Sequence, residues 1–496
     1  MKAKTMLVLL STLLIVGVTL SAIPVYAERA KFPRAKDYLT SENVAEPIFK
    51  KAVLPDEYLF PEGWDKTADW DMIRSRYGGT TIKLLCEGTD IEAPLLFRDQ
   101  FEQISGMKLE ISGVPPPVMF EKMMVAFASG VAAYDVVEYY SVHMPVFSLF
   151  FEPLGSYITK WGYDWEDWLP VWQELCTYQG KILAVPYDCD AQFWLSRVKF
   201  MNEAGIARPP KTYDEVVEYA EKLVPILPSG VYPMGFMASR SFFSWETFLN
   251  FAAPFGADIF EPGTWEPAIN SPEGVNALKF LKMLLDNYSP PGCTGWGYTE
   301  QLTAWNAGQM AMCIQYPNQE SYNPAMAKIA AEERWHSIIP KGPGPKGRYA
   351  PEGTRTTSIL GMLRNSPSKD AAFAFIAFLS SAEPSFVYTI AGTGLDPGRK
   401  SVFDHPLTKK LYPNYQAWID SADYMYFTER MPETPVLESI AYAEIHDVLT
   451  GKKEAKKALD TIVKEYRRIL ERSGYYKPGA PEPPIMWMQD VLKHKK

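Results

Sequence analysis

Histidine is scarce in this chain. Its five histidines, at positions 143, 336, 405, 446 and 494, are isolated from one another. That scatter gives little support to a histidine metal site or a catalytic triad, and neither H-E-x-x-H nor G-x-S-x-G occurs. Cysteine is equally rare. Cys86, Cys176, Cys189, Cys293 and Cys313 contain no C-x-x-C pair, so neither a zinc site nor a thioredoxin-like site is signalled. An odd count leaves at least one thiol unpaired in a monomer, and one or two disulfides remain open with no pairing given by sequence. Positive charge is in deficit, with 50 basic against 59 acidic residues and a net charge of -9. A nucleic-acid binder usually carries a basic face, and that class is set aside. Beyond the N-terminus no stretch is long and apolar enough to span a bilayer. Internal repeats and low-complexity tracts are missing too.

Phosphate loops are present in letter only. Gly342–Gly347 matches G-x-G-x-x-G, but Pro343 and Pro345 lack the N–H groups that grip a phosphate, and no helix pattern follows. In "GTGLDPGRKS", residues 392–401, the glycine spacing is wrong and Arg399 stands where a lysine belongs.

What the chain does have begins at its N-terminus. Lys2 and Lys4 precede an apolar run from Met6 to Leu20, then Pro24 and a small residue at Ala27. This is the layout of a secretory signal cleaved after Ala27, with an uncleaved anchor as the competing reading. The expected location is therefore periplasmic or extracellular. Residues 28–77 are rich in proline and charge and read as an irregular extension with one short helix. At 496 residues the chain has material for at least two domains. Aromatics make up 14% of it, suited both to cores and to stacking on flat ligand faces.

The regular part begins at Gly78-Gly79. Thr80–Leu85, Lys108–Ser112 and Tyr134–Tyr140 read as strands, separated by helices at Pro94–Ser105 and Val118–Ser129. A β-α-β-α-β series predicts a parallel, doubly wound sheet, with ligands at the carboxyl ends of the strands. Those ends carry Glu87, Asp90, Glu138, Tyr139 and Tyr140. Further on, Thr212 and Glu215 form a capping box, and helices are predicted at Pro272–Leu285, from Ser366-Pro367 onward, and at Glu454–Arg472. Met310–Gln315 and Trp335–Pro340 read as strands. Trp161, Trp165, Trp168 and Trp172 fall at helical spacing, though Pro170 interrupts the run, a stripe for packing more often than for stacking on a ligand.

The stretch "YQGKILAVPYDCDAQFWLSR", residues 178–197, starts apolar and ends in acids and aromatics. Strand alternation puts Asp188, Asp190 and Gln192 on one face. Paired carboxylates serve glycosidases, but two acids two residues apart on one strand sit side by side instead of flanking a substrate. Hydrogen-bonding acids at a strand end are the ordinary alternative.

Continued to "RVKFMNEAGIARPPKTYDEVVEYAEKL", this stretch resembles the central segment of the maltose-binding-like extracellular solute-binding proteins of ABC importers. "FRDQFEQISGMKLEISGVPPPVMFEKMMVAFASGVAAYDVV", "LTAWNAGQMAMCIQYPN", "SPSKDAAFAFIAFLSSAEPS", "GTGLDPGRKSVFDHP" and "GKKEAKKALDTIVKEY" resemble further parts of that family, in its order. The resemblance implies an α/β, two-lobed periplasmic-binding-protein fold of type II, each lobe a mainly parallel sheet flanked by helices. Lobe 1 is expected from 78–187 and 337–395, and lobe 2 from 188–336 and 396–496. It implies hinge closure on a sugar, oligosaccharide or polyol, delivery to membrane permease subunits, a monomer, no cofactor, no metal and no catalysis. The implied ligand contacts are Glu87, Asp90, Glu138, Tyr139, Asp188, Asp190, Gln192, Trp245, Gln315, Tyr316, Arg355 and Arg399, with Asn318 and Thr354 beside them. Departures are the long extension, Asn318 after Pro317, and Gly398 where alanine is common. A glycan-acting enzyme and a binder of another small solute stay as alternatives.

Overall fold

The computed structural model describes residues 70–88, 90–316, 334–352, 355–390, 395–411 and 415–494. The segment expected as a signal, most of the extension, Asn318 and Thr354 lie outside the described residues.

Strands form where apolar residues alternate or run together. They are β1 Thr81–Glu87, β2 Lys108–Val114, β3 Val136–Tyr140, β4 Thr177–Tyr178, β5 Lys181–Ile182, β6 Val185–Asp188, β7 Phe193–Arg197, β8 Tyr232–Gly235, β9 Met310–Gln315, β10 Arg334–Ser337 and β11 Ser358–Met362. One sheet has the order β2-β1-β3-β11-β6 and a second the order β10-β7-β9-β8. β1 runs parallel to β2 and β3, as the β-α-β-α-β pattern requires. β11 is antiparallel to both of its neighbours. In the second sheet only β8–β9 is parallel, while β7 is antiparallel to β9 and β10. The sheets are thus mixed, not mainly parallel. A strand that arrives directly from the other sheet has no crossover helix to turn it parallel.

Nine helices carry the argument: α1 Trp70–Tyr77, α2 Glu92–Ser105, α3 Pro116–Ala128, α4 Tyr213–Leu223, α5 Phe242–Phe255, α6 Pro272–Tyr288, α7 Lys369–Leu379, α8 Thr434–Leu449 and α9 Ala455–Ser473. α2 stops where Gly106 takes a left-handed conformation, φ 67°, open to glycine without strain. Thr212 caps α4 by accepting from the Glu215 N–H at 3.2 Å, and the Glu215 carboxylate reaches back to the backbone N–H groups of Lys211, at 2.7 Å, and Thr212. α7 reads "KDAAFAFIAFL", apolar all round, and every residue from Ala371 to Leu379 is buried. α9 is amphipathic and buries Leu459, Ile462, Tyr466 and Leu470 along one stripe.

The tryptophan spacing does not mark one helix. Gly162 turns left-handed straight after Trp161, and Pro170 starts a new helix that holds Trp172. Their neighbours do pack as predicted, since Trp161, Trp168 and Trp172 all lie in the first core.

That first core lies against the β1 sheet and includes Ile82, Phe97, Phe101, Val136 and α7. The second joins α4, α5, α6, α8 and α9 to the β9 sheet through Val216, Phe248, Leu278, Leu437 and Leu459. Segment 396–496, expected wholly in lobe 2, divides between them. Val402, Phe403, Trp418 and Met488 enter the first core, and Tyr426, Leu437 and Trp487 the second. The five cysteines are buried free thiols, so no bridge forms among them.

Candidate functional site

β6 ends at Asp188 in the first sheet, and β7 begins at Phe193 in the second. The four residues between them carry the chain across. Residues 338–357 make the return crossing, from β10 to β11. Polar side chains placed on these connections face both lobes at once.

Asp188 Oδ1 accepts the Asp396 N–H at 2.6 Å. Carboxylate oxygens of Asp188, Asp190 and Asp396 lie within 4.8 Å of one another. Burial, and then Asp190, push the Asp188 carboxyl well above its ordinary range, and burial with Asp396 does the same to Asp190. Asp190 Oδ1 finds no donor among the described residues. Gln192 Oε1 accepts from the Asn250 amide, while Gln192 Nε2 is left without a partner.

On the first lobe, alternation along β3 sends Glu138 and Tyr140 to one face and Tyr139 to the other. The Glu87 N–H donates to Glu138 Oε2 at 3.0 Å, and the Tyr140 hydroxyl donates to Glu87 Oε2 at 2.6 Å. Oxygens of Glu87, Asp90 and Glu138 again fall within 4.8 Å of one another. Burial first, then Asp90 and Glu87, raise Glu138 well above its ordinary range. Glu87, Glu138, Tyr139, Tyr140, His143 and Phe120 border a small recess of about 30 Å³.

On the second lobe, α5 sets Glu246 and Asn250 one turn apart on the same face. The Tyr316 hydroxyl donates to both Glu246 oxygens at 2.6 Å. Burial pushes Glu246 up to about 7, with Tyr316 and Arg355 opposing it. Asn250 Oδ1 accepts the Glu352 N–H at 2.8 Å, so one side chain ties both crossings to α5. Arg355 forms a two-pronged pair with Glu438 on α8, at 2.9 and 3.0 Å.

The structure therefore gathers Glu87, Asp90, Glu138, Asp188, Asp190, Gln192, Tyr316 and Arg355 around the crossings. Four expected contacts stand elsewhere. Tyr139 borders the recess but turns its ring onto Phe151 at 4.4 Å, within a core. Trp245 is fully buried against Phe248 in the second core. Gln315 is spent on Gln301 Oε1, at 2.5 Å, and on the Tyr316 N–H. Arg399 is an interior cation: its donors go to Ser380, Asp164, Asp167 and Tyr163, and it lies over the Trp168 ring. Four of the five N–H groups of this guanidinium are thus committed to the interior.

Sequence reasoning did not select Glu246, Asn250, Asp396 or Glu438. For the first two a signal exists, since they are polar residues at i and i+4 on the otherwise apolar "FFSWETFLNFAAPF". Asp396 sits beside Gly398, whose departure from alanine the packing explains. A Cβ there would stand 2.3 Å from Cys189 Sγ and 2.5 Å from Trp172.

The arrangement accepts hydrogen bonds from many hydroxyls, and each acidic triad brings oxygens close enough to share a cation. The model of the bacterial extracellular solute-binding protein family matches residues 91–385. A Sinorhizobium fredii protein named "probable amino-acid ABC transporter periplasmic-binding protein" is 24% identical over 81% of this chain and 92% of its own. The maltose-bound MalE3 structure from T. maritima superposes with a TM-score of 0.71 at 24% identity, over 79% of this chain and all of that one. A ribitol-bound solute-binding protein from Agrobacterium radiobacter gives 0.70 at 21% identity, over 79% of this chain and 99% of that one. These likenesses establish a two-lobed binding-protein fold.

Proposed function

The chain belongs to the family of bacterial extracellular solute-binding proteins, and from that membership we propose that it captures a sugar, oligosaccharide or polyol between its lobes. It delivers this ligand to the membrane permease of an ABC importer, acting as a monomer outside the cytoplasm after export by residues 1–27. The relatives bound to maltose and ribitol support that ligand class.

The observation that carries the reading is the short crossing from Asp188 to Phe193. It brings the acids at its head and an amide donor, Gln192 Nε2, to the junction of the two lobes. Sugars and polyols need such a mixture, because each hydroxyl both donates and accepts. The site also argues against an anion. Its basic group, Arg355, is already neutralised by Glu438. Catalysis has little support, since Asp188 is committed to the Asp396 N–H and its carboxylate converges with Asp190 instead of flanking a substrate.

A thermal-shift screen against sugars, polyols and small anions tests the reading, followed by product analysis. Binding to the folded state alone raises the melting temperature by mass action. A shift with a saccharide or polyol that is recovered unchanged is the expected result. Recovery of hydrolysed glycan would replace the binding protein with an enzyme, and shifts from anions alone would change the ligand class.

A further inference from the structure

The cleft holds more negative charge than a neutral polyhydroxyl ligand needs. Glu87, Asp90 and Glu138 form one triad, and Asp188, Asp190 and Asp396 another. Asp90 raises the carboxyl groups of both Glu138 and Asp190, so the triads act on each other. Arg355 is held by Glu438. His143, beside Phe120 and Tyr140, adds no charge: burial first and then Arg355 take it down to about 3. Without a positive partner, burial and mutual repulsion favour the protonated forms of Glu138, Asp188 and Asp190, whereas a cation among them would stabilise the ionised forms.

Two further observations point to a positive group. Glu138 Oε1 and Asp190 Oδ1 are buried, at 1% and 6% exposure, without a close hydrogen-bond partner among the described residues, although the Asp90 and Thr356 side chains act on the two carboxyl groups. The recess beside Glu87 and Glu138 is walled by the rings of Phe120 and Tyr140. Carboxylates backed by aromatic faces suit an ammonium group, which the ring quadrupole attracts. A neutral hydroxyl supplies donors but no charge to hold these carboxyl groups in their ionised forms.

We infer that the ligand of this cleft brings a cationic centre, either a protonated amine on a sugar or polyol or a divalent cation bound with a neutral one, held by Glu138, Asp90 and Asp190. The inference rests on the sugar-or-polyol reading of the cleft. The ammonium or metal offsets the carboxylates, and the hydroxyl groups extend toward Gln192 and Tyr316.

The test is calorimetric titration of the protein with matched pairs: glucose and glucosamine, galactose and galactosamine, mannose and mannosamine, mannitol and 1-amino-1-deoxymannitol. Titrations run at neutral pH in EDTA, and the neutral members are repeated in millimolar calcium chloride. An amine that binds about tenfold or more tighter than its neutral partner in EDTA is expected if the charge is organic. A neutral member that gains about tenfold on adding calcium assigns the charge to a metal. A neutral sugar or polyol that binds in EDTA as tightly as its amine, with no gain from calcium, overturns the inference and leaves the sugar-or-polyol reading intact. Failure of every member under both conditions overturns that reading and the inference with it. Asp190→Asn and, separately, Glu138→Gln should each reduce the preference about tenfold; an unchanged preference in both variants, folded by circular dichroism, removes the cation from these residues.

Discussion

Arg399 and Glu429 show how little a side chain's type says about its task. Arg399 has the look of a ligand contact in a loop rich in glycine and proline, yet the fold buries it against Asp167, with side-chain exposures of 1% and 12%. Truncating one partner of a buried pair leaves the other uncompensated, so Arg399→Ala should cost about 3 kcal/mol or more in urea unfolding. Its ligand preference should match the wild type at a temperature where both are folded. A selective loss of binding with unchanged stability would return Arg399 to the site. Glu429 accepts from the hydroxyls of Tyr466 and Thr428 inside the second lobe. Burial, with Glu438 adding to it, lifts its carboxyl from 4.5 to about 7. Between those values the folded state binds a proton that the unfolded chain has released. Stability from this group is therefore full below pH 4.5, declines as pH rises to about 7, and is level above. The span amounts to on the order of 3 kcal/mol. Glu429→Gln should flatten that decline, read from unfolding at about pH 5 and about pH 8; an equal decline in both proteins would reject the assignment.

At the scale of elements, α5 is the piece that joins the crossings. Asn250 holds Gln192 of one and the Glu352 N–H of the other. Asn250→Ala takes an acceptor and a donor from buried partners, at about 1–3 kcal/mol for each group left unsatisfied. A lower melting temperature and weaker ligand binding should appear together, and a variant that melts like the wild type would show that the crossings hold without α5. The helices and strands themselves were largely legible. Met310–Gln315 is a strand with the ends its apolar run predicts, and the predicted Pro272–Leu285 helix extends to Tyr288. Pattern reading failed at the tryptophan stripe because a left-handed Gly162 outweighs periodicity at a distance. It predicted the parallel pairing of β1 with β2 and β3, but not the antiparallel pairing of β7 and β11. Parallel or antiparallel pairing depends on the sheet from which a strand arrives, and no local pattern carries that.

For the molecule as a whole, the two cores are linked by the four residues 189–192, by the longer return crossing and by segment 396–496, and motion of the cores as two bodies is expected. Hinge closure concentrates its change in the few residues that connect them. Small-angle scattering should show a smaller radius of gyration when the ligand identified by the screen is added. An identical profile with and without saturating ligand would mean that the lobes are fixed. Alternation and helical spacing are local properties, so the sequence by itself determined the α/β class and the position of most elements, and the resemblance of its motifs pointed to the family; the alternation expected from Asp188 to Gln192 is not met, because residues 189–192 leave the strand. Only the tertiary structure decided which acids meet. β1 and β3 pair side by side in one sheet and bring Glu87 to Glu138, while the chain around Asp396 folds back onto the end of β6 and meets Asp188. The same packing sent Arg399, Trp245 and Tyr139 inward, since a buried side chain's role is set by the partners that surround it.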